Sequence, residues 1–249
     1  MNEPVVLIHG LFQMLAVPDA AGSFAPGRLL IPDLPGYGRN QGAGPVSVEA
    51  AAEHVRAEIR AAGFDRAHIA GHSVGGAVAV VLAHHHPEMV LSVIDVEGNF
   101  TLKDAFWSAK IAQMHAAEAD ALLESYREDP AGWLSRNGIE PSAERVAAAT
   151  LGLRSQPAST VQAMARSVVE TTARTQYLDD VREILDRGTP FHLVAGERSR
   201  DGWDVPDFVA ARASSMTIQP GVGHMMMLEN PAEFFGIIAL LAGARLAAA

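Results

Sequence analysis

The chain contains no cysteine. Disulfides, thiolate nucleophiles and cysteine metal sites are therefore excluded. Aromatic residues are sparse, at 6% of 249 positions, and the 19 Lys and Arg are outnumbered by 29 Asp and Glu. A formal net charge of -10 argues against a surface for nucleic-acid phosphates, so no nucleic-acid partner is expected. No run approaches the ~20 apolar residues of a membrane span. The opening "MNEPVVLIHG" has no basic n-region, and its apolar run is too short for a signal peptide. These absences lead to the expectation of a soluble, cytoplasmic protein without a membrane partner. What the chain does have is ordinary for a globular domain: 49% apolar and 19% charged residues.

Short, nearly continuous apolar runs predict buried strands at Val5–Ile8, Arg28–Ile31, Ala67–Ala70, Val90–Val96, Phe191–Ala195 and Met216–Ile218. Helical patterns separate them. Val48–Ala62 carries one apolar stripe, Val74–His85 is apolar nearly all round, and Pro231–Leu241 follows the last strand. The alternation predicts an α/β fold with a doubly wound, mostly parallel sheet. From Leu102 to Arg187 only helical patterns occur, at Asp104–Arg127, Ser142–Leu153, Ala158–Ala173 and Leu178–Asp186. A stretch of that length without a strand reads as an all-helical insertion over the sheet. The expected organisation is a core of residues 1–101 and 188–249 with a helical cap at 102–187.

Three stretches carry chemistry. "GHSVGG" places Gly71, Ser73 and Gly75 in a G-x-S-x-G pattern between a strand and a helix. That context puts Ser73 on a sharp turn, exposed at the sheet's carboxyl end as a nucleophile. "LIHGLF" ends the first strand, where a loop N–H, that of Leu11 or alternatively Phe12, joins the Val74 N–H as an oxyanion hole. His9 itself reads as a hydrogen-bonded structural residue. "PGVGHMMMLENP" follows the last strand, and its His224 supplies the base that a serine hydroxyl needs.

Taken in order, "HGLF", "DLPGYGRN", "GHSVGG" and "GVGHMMMLENP" resemble the α/β-hydrolase fold superfamily across nearly the whole chain. The resemblance implies a Ser–His active site and leaves the substrate open. The superfamily usually has an antiparallel strand pair before the "HG" strand. This chain starts at that strand, which implies a sheet of about six strands.

The acid that orients His224 is less direct. Most superfamily members place it in a G-x-x-D pattern after the fifth strand counted here, but in "VAGERSRDGWDVP" the position three after Gly196 is Ser199. Asp201, Asp204 and Glu197 are out of register. Some haloalkane dehalogenases and fungal lactonases use a glutamate after the preceding strand. The resemblance then implies Glu97, in "VIDVEGNF", with Asp201 as the alternative acid.

No cofactor is expected and no metal is needed; adjacent residues of the run His84-His85-His86 point in different directions on a helix end, so they are not expected to chelate one ion. Candidate lining residues of a substrate pocket are Phe12, Met14, Phe106, Trp107, Met114, Trp133, Trp203 and Met225. For any one of them, ordinary core packing is an equal account; together they suit an apolar small molecule. The expected activity is hydrolysis of a carboxylic ester or lactone through an acyl-enzyme. Amide, thioester or carbon–carbon hydrolysis and a same-fold lyase reaction are alternatives, and a non-catalytic ligand-binding role is the remaining class.

Overall fold

A computed structural model describes residues 3–15 and 24–243. Six strands form one sheet in the order β2-β1-β3-β4-β5-β6. They are β1 (Val5–Ile8), β2 (Leu29–Leu30), β3 (Ala67–His72), β4 (Val90–Val96), β5 (Phe191–Gly196) and β6 (Ser215–Gln219). Every neighbouring pair is parallel. β1 is buried at all four positions, as expected of a strand covered on both faces. The edge strand β2 is half-buried and shorter than its apolar run predicts.

α1 (Val48–Ala61) starts where the Ser47 hydroxyl accepts the Ala50 N–H at 3.0 Å, and it buries Val48, Ala52, Val55 and Ile59. α2 (Val74–His85) is buried continuously from Val74 to Ala83, which is why its apolar residues show no single face. α11 (Pro231–Leu241) begins on Pro231 with Asn230 as cap.

Between β4 and β5 lie six helices: α3 (Phe106–Gln113), α4 (Ala116–Glu128), α5 (Pro130–Arg136), α6 (Ala143–Arg154), α7 (Ala158–Thr172) and α8 (Thr175–Asp186). The single helix expected over Asp104–Arg127 is two. Met114 turns to an extended ψ of 149°, and Glu118 reaches back to accept the His115 N–H at 2.8 Å, starting a new helix. α5 was not expected. Pro130 begins that helix instead of ending one, with Asp129 accepting the Gly132 N–H at 2.8 Å. α8 is anchored to α2, with Asp180 3.6 Å from His84 Nε2 and Arg187 donating to the His84 carbonyl at 3.1 Å. Two short helices, α9 (Asp207–Arg212) and α10 (Met226–Glu229), flank β6. Among the described residues no helix is long and apolar enough to cross a membrane.

Candidate active site

Parallel strands deliver their carboxyl ends to one edge, and loops leaving that edge can converge there. Here the ends of β1, β3, β4, β5 and β6 contribute His9–Leu11, Ser73, Glu97, Gly196–Ser199 and His224.

Ser73 sits between β3 and α2 with φ 55° and ψ -123°, a left-handed backbone that a side chain rarely adopts. Its N–H is held by the Val96 carbonyl at 3.0 Å, tying the turn to the end of β4. The flanking glycines allow close approach. A Cβ on Gly71 would lie 2.2 Å from the Gly75 carbonyl oxygen, and one on Gly75 would lie 2.4 Å from that of Ile8 in β1. Val74 opens α2, so its N–H has no acceptor within the helix.

The loop after β1 is braced from two sides. The Leu34 N–H donates to His9 Nε2 at 3.3 Å, and His9 Nδ1 donates to the Gly10 carbonyl at 2.8 Å. Burial pushes the His9 imidazole down to about 4, which keeps it neutral in that role. The buried Tyr37 hydroxyl donates to the Leu11 carbonyl at 3.2 Å. "DLPGYGRN" is thus a clamp on the loop that carries Leu11 and Phe12.

Glu97 adopts φ 43° immediately after β4, and its N–H donates to the Val194 carbonyl of β5 at 3.0 Å. This kink turns the side chain toward the β5 and β6 ends. Oε2 accepts from His224 Nδ1 at 2.6 Å, and Oε1 accepts the Gly196 N–H at 2.8 Å and the Ser199 hydroxyl at 2.5 Å. The residue is only 5% exposed. Burial alone would raise its pKa, but the hydrogen bond and charge of His224, with Ser199 and Gly196, hold it below the usual carboxylate range. With Nδ1–H committed to a carboxylate, His224 presents a bare Nε2, which is the form that can take a proton from a hydroxyl.

His72 supports the imidazole from behind. Its ring lies 4.6 Å from that of His224, and its Nε2 donates to the His224 carbonyl at 2.9 Å. Burial drives the His72 pKa well below its ordinary value, so this neighbour adds no charge. Arg198 pairs with Glu229, whose Oε1 accepts the Gly223 N–H at 2.7 Å, fixing the residue before His224.

Ser73, His224, Leu11 and Trp107 share the wall of a cavity of about 10 Å³. That is room for about one water. The Trp107 ring stands edge-on to His224 at 6.0 Å. On its other side Trp107 joins Phe12, Tyr126 and Trp133 around a second cavity of about 70 Å³, with Lys110 and Asn137 at its wall. A larger groove of about 320 Å³ lies away from Ser73, between the start of α1 and α7.

The expected site residues therefore separate. Phe12, Trp107 and Trp133 gather beside the Ser73–His224 cavity, and Phe106 lines it while being 56% exposed. Asp201 does not come to the site. Its side chain is 93% exposed and lies 3.2 Å from Arg200 Nε, because the turn after β5 points it outward. Trp203 is a fastener, donating to the Gly98 carbonyl at 2.7 Å and stacking on Phe100. Met14 packs against the Gly152 turn of α6, Met114 joins α3 to α4, and Met225 is buried ahead of α10. None of these three Met residues, nor Trp203, lines either cavity. Ser199, His72, Tyr37, Asn99 and Asp104 were not expected at the site. Asn99 and Asp104 line the Ser73 cavity, and Asp104, its carboxyl pushed up to about 6 by burial, fastens the Phe100 and Thr101 N–H groups. Among the described residues no cluster suited to a metal ion occurs.

Known proteins resemble this chain in sequence and in fold. A pimeloyl-[acyl-carrier protein] methyl ester esterase of Yersinia enterocolitica is 29% identical over 227 residues, 85% of this chain and 81% of that protein. An AB hydrolase superfamily protein of Gibberella zeae is 34% identical over 97 residues. That match spans 37% of this chain and 34% of the relative, so it is local. Among solved structures, MenH from S. aureus has a TM-score of 0.72 at 17% identity, covering 98% of this chain and 94% of its own, a likeness of fold. The alpha/beta hydrolase family pattern matches residues 5–237, and the chain belongs to that family of enzymes.

Proposed function

We propose that the protein is a serine hydrolase of carboxylic esters or lactones, with Ser73 as nucleophile, His224 as base and Glu97 as the acid that orients it. The observation that carries this reading is the 2.6 Å bond between Glu97 Oε2 and His224 Nδ1, at the edge where Ser73 occupies a strained turn. Ser73 Oγ attacks the carbonyl carbon while His224 Nε2 takes its proton. The Leu11 and Val74 N–H groups hold the resulting oxyanion, a donor of this kind contributing on the order of 3 kcal/mol in the transition state. His224 then returns the proton to the departing alkoxide, and water releases the acyl group by the same steps in reverse. The helical segment 102–187 acts as a cap, and the aromatic cavity of about 70 Å³ suits an apolar acyl or aryl group. The ester bond named for the Yersinia enterocolitica relative supports the same bond class here.

The test is labelling by a fluorophosphonate probe, followed by turnover of p-nitrophenyl esters of several chain lengths, lactones, an amide and a thioester. We expect labelling that disappears in Ser73→Ala and turnover of esters or lactones above the rest. Labelling retained in Ser73→Ala overturns the nucleophile assignment. Labelling lost, with only the amide or thioester turned over, overturns the bond class.

A further inference from the structure

The position where most members of this superfamily carry the acid holds Ser199, and its hydroxyl is bonded to the residue that stands in for that acid. We infer that Ser199 is a positioning residue, fixing the Glu97 carboxylate so that one oxygen alone faces His224. The inference rests on the triad proposed above.

The geometry divides the carboxylate in two. Oε1 receives the Gly196 N–H at 2.8 Å and the Ser199 hydroxyl at 2.5 Å, whereas among the described residues Oε2 receives only His224 Nδ1 at 2.6 Å. Ser199 has one proton to donate. Its nearest other acceptor is the Gly196 carbonyl at 3.4 Å, so the proton belongs to Glu97. The turn that carries it is itself fixed. The Ser199 N–H donates to the Gly196 carbonyl at 3.2 Å, and the Gly202 N–H donates back to the Ser199 carbonyl at 2.9 Å.

A glutamate needs such a fixture more than an aspartate does. It has one more rotatable bond between backbone and carboxylate, and here it springs from a left-handed residue with φ 43°. A buried carboxylate oxygen also calls for donors, and those to an ionised group are about twice as strong as neutral ones. An aspartate at 199 would instead press a second carboxylate against Glu97 and raise the pKa of one of them. Serine is small enough to fit, donates, and brings no charge.

The experiment compares Ser199→Ala and Ser199→Thr with the unaltered enzyme on its best p-nitrophenyl ester. Each is checked for fluorophosphonate labelling, thermal midpoint and the ¹H NMR signal of the His224 Nδ1 proton. Ser199→Ala should lower kcat by about 10- to 100-fold, the worth of one charge-assisted hydrogen bond, with KM little changed. The Nδ1 proton signal should shift or broaden. Ser199→Thr, which keeps the hydroxyl, should stay within about threefold by the same reasoning. A normal kcat and an unmoved Nδ1 signal in Ser199→Ala would overturn the inference. So would a fall in thermal midpoint with kcat per folded enzyme unchanged, which is the mark of a purely structural serine. Failure of the triad reading is separate: the unaltered enzyme would then resist labelling, or Glu97→Gln would leave turnover intact.

Discussion

Replacing Glu97 by Gln tests the site at its most informative atom. The side chains are nearly isosteric, so the effect is one of donors and acceptors. In the native site Oε1 accepts from Gly196 N–H and Ser199 Oγ, and Oε2 accepts from His224 Nδ1. A glutamine has one carbonyl oxygen and one NH₂ group for these two places. If its oxygen keeps Gly196 and Ser199, its NH₂ faces His224 Nδ1. The imidazole must then accept there and carry its proton on Nε2, the wrong tautomer to deprotonate Ser73. If the amide is reversed, its NH₂ confronts the Gly196 N–H, donor against donor, with no water to mediate at a residue 5% exposed. The first arrangement is cheaper, so the inactive tautomer should dominate, and the neutral amide no longer stabilises the imidazolium. The equivalent change in a serine protease costs about 10⁴ in kcat, so a loss of about 10³- to 10⁴-fold is expected here, or ~4–5.5 kcal/mol of barrier. The assay is kcat and KM on the best p-nitrophenyl ester, with the thermal midpoint as a control for folding. Asp201→Asn, at a side chain 93% exposed, should stay within about twofold, in the range of an innocuous surface change. A loss below about tenfold in Glu97→Gln, or a larger loss in Asp201→Asn, would refute the assignment.

Two further predictions concern the scaffold under the site. Asp95 is buried two residues before Glu97, with Oδ1 accepting the Gly98 N–H at 2.7 Å and Oδ2 lacking a partner among the described residues. Burial pushes its carboxyl from 3.8 up to about 8. The folded state therefore holds a proton that the unfolded chain has lost between those values. This contribution to stability is full at the acid end, falls as pH rises, and is gone above about 8. Asp95→Asn should remove up to ~1.4 kcal/mol per pH unit of that slope, read as urea unfolding at pH 5.5 and 7.5. Equal slopes in both proteins would refute it. Gly75→Ala would set a Cβ 2.4 Å from the Ile8 carbonyl oxygen, backbone against backbone, where no side chain can yield. A destabilisation of about 3 kcal/mol or more is expected, seen as a collapse of the thermal midpoint; a shift of only a degree or two would contradict the close approach.

How far the sequence reaches depends on the range over which each feature is decided. The strand runs and the Val74–His85 and Pro231–Leu241 helices are local patterns, and each element forms at its run, with β2 reduced to Leu29–Leu30. The break at Met114–His115 is local too, but its signal is a Glu118 reaching back to a helix start inside an otherwise continuous apolar stripe, and periodicity masks it. The pocket was the least legible part. A buried aromatic looks the same in sequence whether it lines a cavity, as Trp133 does, or fastens a loop, as Trp203 does through Gly98. The acid proposed for His224 lies between these extremes. The anomaly in "VIDVEGNF" is visible in the sequence, but the solution is spelled across three strand ends. β4 and β5 pair with Val96 opposite Val194, which brings Glu97 alongside Gly196 and the turn to Ser199. β6 then pairs with β5 through Gly196 and Gln219, which returns the chain to the same edge before His224. Absence of an aspartate at 199 therefore meant more than the removal of a candidate. On the proposed triad, the small hydroxyl there and the long carboxylate at 97 fill one site between them, joined by the Ser199–Glu97 hydrogen bond.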